Sequence, residues 1–265
     1  AVKGKCRSLA NYGVGYNHMD VKSATQQGIY VTNTPDVVTD ATADLTWALL
    51  LATARRVVEC DLFVRSGQKN WHPMNLMGTQ VTGKTLGIVG GGRIGLAVAR
   101  RSQGFMMKVL YTDVQPIPAF EAASVGTFVD KETLLRSADF VSIHAPLLPA
   151  TRHLLGSREL RMMKKTAIVI NAARGPIIDE KALIEALRGG LIAGAGLDVF
   201  EQEPELMDGL SELPNVVLTP HVGTQTTETR IEMAHVCARS VDAALSGQIP
   251  PNCLNPEAQS NQRPG

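Results

Sequence analysis

Apolar runs of four to six residues, separated by stretches of helical length, repeat through the middle of the chain. Residues 85–89, 108–112, 139–144, 166–170, 192–197 and 216–219 read as strands, with a weaker one at 125–129. Between them, 94–103, 131–137, 157–163 and 180–188 carry the mixed apolar and charged spacing of helices. Strands that are apolar at nearly every position are covered on both faces, and strands alternating with helices give parallel pairing. The pattern therefore predicts an α/β fold built on a doubly wound parallel sheet.

The flanks read differently. A strand at 8–12, a helix at 21–27 stopped by Gly28, and a strand at 29–32 ended by Asn33-Thr34-Pro35 are too little for a domain. Residues 1–35 look like the end of something whose beginning is absent. A long helix is expected from a cap at Thr39 or Asp40 to about Ser66. Leu45, Trp47, Leu50, Val57, Leu62 and Phe63 surround its axis, so it must be buried on several sides. Its own domain or a second subunit could do this, and the second is favoured. A closing helix spans 226–246, before Gly247. The polar tail from 255 to 265 is expected to fray.

One segment carries a specific signal. The strand 85–89 runs into Gly90-Gly91-Gly92-Arg93-Ile94-Gly95, then a helix, then a strand ending in Asp113. In a chain with 24 glycines, G-x-G-x-x-G spacing alone is weak. Placed inside a βαβ unit, with an acid about 20 residues on, it is strong. Gly90 permits the sharp turn, Gly92 lets a pyrophosphate approach the backbone, and Gly95 lets helix and strand pack closely. The helix start offers its N–H groups to the phosphates. Asp113 accepts from a ribose diol and repels a 2′-phosphate, so the expected cofactor is NAD rather than NADP.

Ligands of such sheets lie beyond the carboxyl ends of the strands. That rule selects Ala145 and Pro146, the stretch Asn171-Ala172-Ala173-Arg174-Gly175, the stretch from Asp198 to Pro204, and Pro220-His221-Val222-Gly223. An Arg, a Glu and a His then share one edge with the dinucleotide. A His is the natural proton carrier near neutral pH, a carboxylate would hold its ring, and an Arg can fork onto a substrate carboxylate. Hydride transfer between a 2-keto and a 2-hydroxy acid is the economical reading. Local chemistry does not choose among Glu201, Glu203 and Glu205, and Asp198 could instead cap a turn. His144 reads as structural. His18, His72, His153 and His235 show no partner in the sequence, and Trp47 and Trp71 read as core or interface.

A net charge of +1 gives no reason to expect nucleic acid or an anionic membrane as partner. The apolar run 45–54 is too short to span a bilayer. Cys6, Cys60, Cys237 and Cys253 are scattered without metal-ligand spacing, so no metal site is expected, and they read as free thiols. With no signal-peptide pattern at Ala1, the expected setting is cytoplasmic.

Taken together, Asn11 to Tyr16, Thr32 to Pro35, Ala43 to Thr46, Gly87 to Gly95, His144 to Leu147, Asn171 to Gly175, Gly196 to Val199 and Thr219 to Gly223 resemble the D-isomer-specific 2-hydroxyacid dehydrogenases. The resemblance covers nearly the whole chain. It implies Arg174 as binder of the substrate carboxylate and carbonyl, Glu203 as the partner of the catalytic His, and His221 as proton donor. It implies cofactor contacts at Val14, Arg93, Ile94, Asp113, Ala145, Thr151, Ala172, Ala173, Asp198 and Gly223. It also implies a Rossmann nucleotide domain at 36–225, inserted in a flavodoxin-like substrate domain that is here incomplete. Residues 1–35 and 226–265 would be what remains of that domain, in an N-terminally truncated chain. A small 2-keto or 2-hydroxy acid is the implied substrate, glyoxylate or hydroxypyruvate among them, and a homodimer through helix 40–66 the implied assembly. Gly91 and Asn17 depart from the usual residues. Formate dehydrogenases resemble the same pattern with Gln in place of Glu203. NAD-sensing corepressors share it as binding proteins and stand as the alternative, beside an impaired truncated dehydrogenase.

Overall fold

A computed structural model describes residues 6–123 and 125–261. The chain divides into two compact units, one from residues 1–41 and 224–265, the other from Thr42–Gly223.

In the first unit, β1 (Ser8–Ala10), α1 (Val21–Gln26) and β2 (Tyr30–Thr32) lead towards α2 (Thr39–Ala54), most of which belongs to the second unit. β1 and β2 pair in parallel. Asp20 caps α1 by accepting from the Ser23 amide at 2.9 Å, and Gly28 leaves the helix with φ of 69°. The tail does not fray as its polarity suggested. Asn255 is fully buried: its Oδ1 accepts from the Val31 amide at 2.7 Å, and its Nδ2 donates to Thr25 Oγ1 and the Ile29 carbonyl. A 3-10 turn over Pro256–Asn261 follows, and Ala258 packs on Tyr30 and Ala244. Residues 262–265 lie outside the described residues.

The second unit continues with α3 (Val57–Arg65), β3 (Thr85–Val89), α4 (Arg93–Arg101), β4 (Lys108–Thr112), α5 (Pro118–Ala122), β5 (Thr127–Phe128), α6 (Lys131–Ser137), β6 (Phe140–Ile143), α7 (Ser157–Leu160), β7 (Ile168–Asn171), α8 (Glu180–Arg188), β8 (Gly194–Leu197) and β9 (Val216–Leu218). The first unit regains the chain with α9 (Thr227–Leu245). The seven strands of the second unit form one parallel sheet in the order β5-β4-β3-β6-β7-β8-β9. The order reverses between β3 and β6, and that switch point is where a doubly wound sheet opens a crevice at its carboxyl edge.

Alternate strand residues feed two cores, as a sheet buried on both faces requires. Leu86, Ile88, Val109, Tyr111, Phe140, Ile168 and Ile170 join Trp47, Leu49, Leu50 and Val98 of α2 and α4. Val89, Leu110, Val141, Ile143, Val169, Ala195 and Leu197 join Leu134, Leu135, Leu183 and Leu187 of α6 and α8. Trp47 stacks on Phe105 at 4.8 Å and donates its indole N–H to the Val98 carbonyl.

Several helix boundaries differ from the sequence reading, α7 ending at Leu160 rather than 163 among them. The expected single helix from 40 to 66 is two. Arg56 takes a left-handed φ of 54° between α2 and α3, held by a fork of Nε and Nη2 on Glu59 at 2.9 and 2.7 Å. α2 is buried in this unit through Leu49 and Leu50, whereas no described residue of α3 is buried. The helix expected over 94–103 ends at Arg101 as α4. The helix passes into a 3-10 turn over Ser102–Phe105, and Met106 at φ of 51° ends it.

Candidate active site

The glycine turn joins β3 to α4. Gly90 has φ of +99° and sits against the His144–Ala145 backbone; a Cβ there would lie 2.5 Å from the Ala145 nitrogen. A Cβ on Gly95 would strike the Gly90 carbonyl. Gly92 is different: a Cβ there meets no described atom within 4 Å. The protein has no packing reason for a glycine at this position, whereas a ligand lying on the backbone has one. Gly92 is also the N-cap of α4, and among the described residues no side chain caps that helix. A helix start without a side-chain cap favours an anion. Asp113, at the end of β4, accepts from the Gly91 amide at 2.8 Å through Oδ2 and from the Val114 amide at 2.7 Å through Oδ1. The acid that would face a ribose therefore also fixes the turn. These features fit a dinucleotide.

Across the switch point, Ala145 is buried and Pro146 exposed. Thr151 closes their loop, donating to the Pro146 carbonyl at 2.6 Å while accepting from the Leu148 amide. His144, at the end of β6, pairs Nε2 with Ser142 Oγ at 2.8 Å. It keeps some surface, but it lies deep among packed atoms, and that burial pushes its pKa from 6.5 down to about 3. Val14 belongs to the first unit, where its carbonyl accepts from Asn33 Nδ2 at 2.9 Å on a loop that Asn11 ties together.

Within the second unit, the loops after β7, β8 and β9 are braced by buried polar groups. After β7, the buried Asn171 accepts from the Ala173 amide and donates to the Arg174 carbonyl, both at 3.0 Å. This folds Ala172 and Ala173 into a tight turn and sets the position of Arg174. Half-buried Arg174 donates Nη1 to the Ala173 carbonyl at 2.6 Å. Its pKa is lowered by burial, with the Glu203 charge acting in the opposite direction, and the group stays a cation at neutral pH. Gly175 follows, and a Cβ there would overlap the Phe200 carbonyl group. The loop after β8 thus lies directly on the backbone beyond Arg174.

Asp198, 1 % exposed, accepts from Thr219 Oγ1 at 2.6 Å and from the Val222 and Gly223 amides at 2.8 Å each. It braces the loop after β9, where His221 adopts a left-handed φ of 53°. Such backbone in a non-glycine residue persists only where its surroundings over-determine it. His221 Nδ1 lies 2.7 Å from Glu203 Oε2, while Glu203 Oε1 accepts from the Phe200 amide at 2.9 Å. The choice left open among three glutamates is thereby resolved in geometry. Glu201 is engaged by Arg152 and His153, and it is Glu203 that meets the imidazole. Arg174, Glu203 and His221 share one carboxyl edge of the sheet, with Nε2 of His221 as the ring atom turned from the carboxylate. Its tautomer follows from that contact.

Comparison with known proteins agrees with this architecture. Residues 47–223 match the family profile "D-isomer specific 2-hydroxyacid dehydrogenase, NAD binding domain". The chain belongs to the D-isomer-specific 2-hydroxyacid dehydrogenases. A glyoxylate reductase from Thermococcus litoralis is 51% identical over 98% of this chain and 80% of its own length. A crystal structure of a Thermus thermophilus protein superposes with a TM-score of 0.88 at 48% identity, covering 94% of this chain and 78% of that one. An NADPH-dependent glyoxylate/hydroxypyruvate reductase from Sinorhizobium meliloti, in complex with NADP and malonate, gives a TM-score of 0.85 at 33% identity over 98% of this chain and 80% of its own. This dehydrogenase is thus an NAD-binding oxidoreductase of hydroxy acids, in a family where some neighbours take NADP. Among its described residues no helix is long and apolar enough to cross a membrane, and no cluster of His, Cys, Asp or Glu could hold a metal ion.

Several braces of the dehydrogenase's site escape a reading of the sequence. His153, which shows no partner there, lies 2.6 Å from Glu201. Thr219, Glu180 and Glu201 act through contacts 21 or more residues away, and no local spacing marks them. Their one sequence signal is a polar residue at the end of an otherwise apolar strand, or opening a helix.

Proposed function

We propose that this dehydrogenase reduces a small 2-keto acid to the D-2-hydroxy acid, and catalyses the reverse oxidation, with glyoxylate and hydroxypyruvate as first candidates. The observation that carries this is the 2.7 Å contact of His221 Nδ1 with Glu203, on the sheet edge that also carries Arg174. The names of the Thermococcus and Sinorhizobium relatives support the substrate class.

When bound, the nicotinamide supplies or accepts the hydride. Gly90, Gly92, Arg93, Ile94 and Gly95 hold its pyrophosphate, and Asp113 the ribose diol. Ala145, Pro146, Thr151, Ala172, Ala173, Asp198 and Gly223 complete its contacts in the second unit. Asp113 carries a charge that a 2′-phosphate would meet, which favours NAD over NADP. Arg174 forks onto the substrate carboxylate and polarises the carbonyl beside it. His221 gives a proton from Nε2 to the carbonyl oxygen as the carbon is reduced, and takes it back in oxidation. Glu203 keeps the Nδ1–H tautomer and stabilises the imidazolium.

The active assembly in this reading is a dimer of two copies. Val57, Val58, Leu62 and Val64 of α3 are each about half exposed or more. Beside them runs a groove of about 670 Å3 lined by Val58, Leu62, Met77 and Leu213. Exposed apolar surface of this extent at one helix marks an interaction face.

Oxidation of NADH by glyoxylate or hydroxypyruvate, followed at 340 nm, is the test. His221→Gln is expected to lose about 10²–10⁴-fold in kcat while still binding NADH. Arg174→Ala should chiefly raise KM. Turnover by His221→Gln at the parent rate would overturn the assignment.

A further inference from the structure

Glu180 opens α8, six residues after Arg174, and is only 4 % exposed. Its Oε2 accepts from the Glu201 amide at 2.7 Å and its Oε1 from the Met207 amide at 3.3 Å. Glu201 answers with Oε2 on the Glu180 amide at 3.3 Å. Each glutamate thus uses its side chain to satisfy the other's backbone. Glu201 Oε1 also takes His153 Nε2 at 2.6 Å and Arg152 Nη2 at 3.1 Å, both from the loop that carries Thr151. Glu203 lies inside the segment that this clasp pins, between Glu201 and Met207.

We propose that Glu180 and Glu201 are positioning residues that hold Glu203 against His221. The inference rests on the reading of the Glu203–His221 pair given above. The segment from Phe200 to Met207 contains no helix or sheet strand that would fix it. Its position comes from a backbone contact at Gly175 and from carboxylates accepting its amides at Phe200, Glu201 and Met207. Remove Glu180 and two of those amides lose their acceptor at a half-buried position, so the segment must shift to satisfy them. A shift of an ångström at Glu203 is enough to misalign the imidazole. Gln at position 180 keeps one accepting oxygen but turns an NH2 group towards the other amide, and so restores the clasp in part.

The test is the full chain with Glu180→Ala and Glu180→Gln, read by kinetics and by 15N NMR of the histidine rings. The chain has six histidines, and His221→Gln assigns the signal of His221. In the parent, neutral His221 carries its proton on Nδ1, facing Glu203. Glu180→Ala should move that proton towards the ordinary Nε2–H form and lower kcat about tenfold, with the Kd for NADH within twofold of the parent. Glu180→Gln should lie between the two. If Glu180→Ala lowers Tm but leaves kcat and tautomer as in the parent, the clasp is merely structural and the proposal fails. Glu203→Ala serves as reference. Should Glu203→Ala leave the tautomer unchanged, the catalytic reading of the pair falls first. Should it change the tautomer where Glu180→Ala does not, only the clasp falls. If Glu180→Ala gives no folded protein, Glu201→Gln carries the same readouts with the same two outcomes, because it disturbs one amide rather than two.

Discussion

The two halves of the sheet's carboxyl edge are built on opposite principles. The cofactor half, from β3 to Asp113, is contiguous: strand, glycine turn, helix and strand follow one another within 29 residues, and Asp113 reaches back to bond Gly91 in the same unit. The reaction half draws Arg174, Glu203 and His221 from three loops after β7, β8 and β9. Nothing local holds these side chains together. Asn171, Asp198, Glu180 and Glu201 do so from buried or half-buried positions, and Gly175 lets two of the loops touch. The cofactor half can therefore persist when the reaction half is loosened.

Gly175→Ala presses hardest on this difference. The added Cβ would overlap the Phe200 carbonyl, so the Glu203 loop must move. We expect kcat to fall about 100-fold while the Kd for NADH, measured by fluorescence titration, changes less than threefold. Equal loss of both would mean that the halves are coupled. Acidification tests the seam between them, at His144. Its folded pKa of about 3 lies below the unfolded 6.5, so the unfolded chain binds more protons between these values. Stability is then lost as pH falls through 6.5 towards 3, about 2 kcal/mol of it by pH 5. His144→Gln should flatten that slope in urea titrations at pH 5 and 7.5, and an unaltered slope would place the loss elsewhere.

Asp113→Ser acts within the cofactor half. It removes a carboxylate that bonds the Gly91 amide and would repel a 2′-phosphate. The ratio of kcat/KM for NADH over NADPH should fall about tenfold, as the loss of one hydrogen bond to a charged group implies. The KM for the keto acid should stay within twofold; a large rise would break the separation. The smallest effect is a control at the opposite edge of the sheet. Asp139 bonds Lys164 at 2.8 Å and the Thr85 amide at 2.9 Å. Burial raises its pKa, but the Lys164 and Thr85 bonds outweigh that and the net shift is downward from 3.8. Its contribution is present above that value and lost as pH falls through the lowered one. Asp139→Asn should cost about 0.5–1 kcal/mol at pH 7, less as acid is added below pH 3.8, and leave both kinetic constants alone.

The same contrast explains how far the sequence could be read. β3, β4, α6 and α8 have the bounds their periodicity predicts, because each buries an apolar face of standard period. The glycine turn and Asp113 were legible because their geometry is local. The break at Arg56 was not, since arginine in a left-handed conformation carries no glycine or proline signal and its stabilising fork with Glu59 is a side-chain event. Met106, left-handed at the end of the 3-10 turn after α4, carries no such signal either. Asn255 reads as a polar tail residue until it is seen bonded to the Val31 amide 224 positions away. In the site, residue types alone named Arg174 and His221 as candidates but left Glu203 among three. The resemblance to a family named it, and the contact with His221 gives the physical reason.

The contact between Gly175 and Phe200 also bears on how this enzyme can be changed. Two loops share one wall with no room for an atom between them, so neither can lengthen, shorten or swap residues at the wall independently of the other. A library that randomises the two loops separately should yield mostly inactive clones. Substrate range is better sought by grafting both together, as a cassette running from Asn171 to Met207.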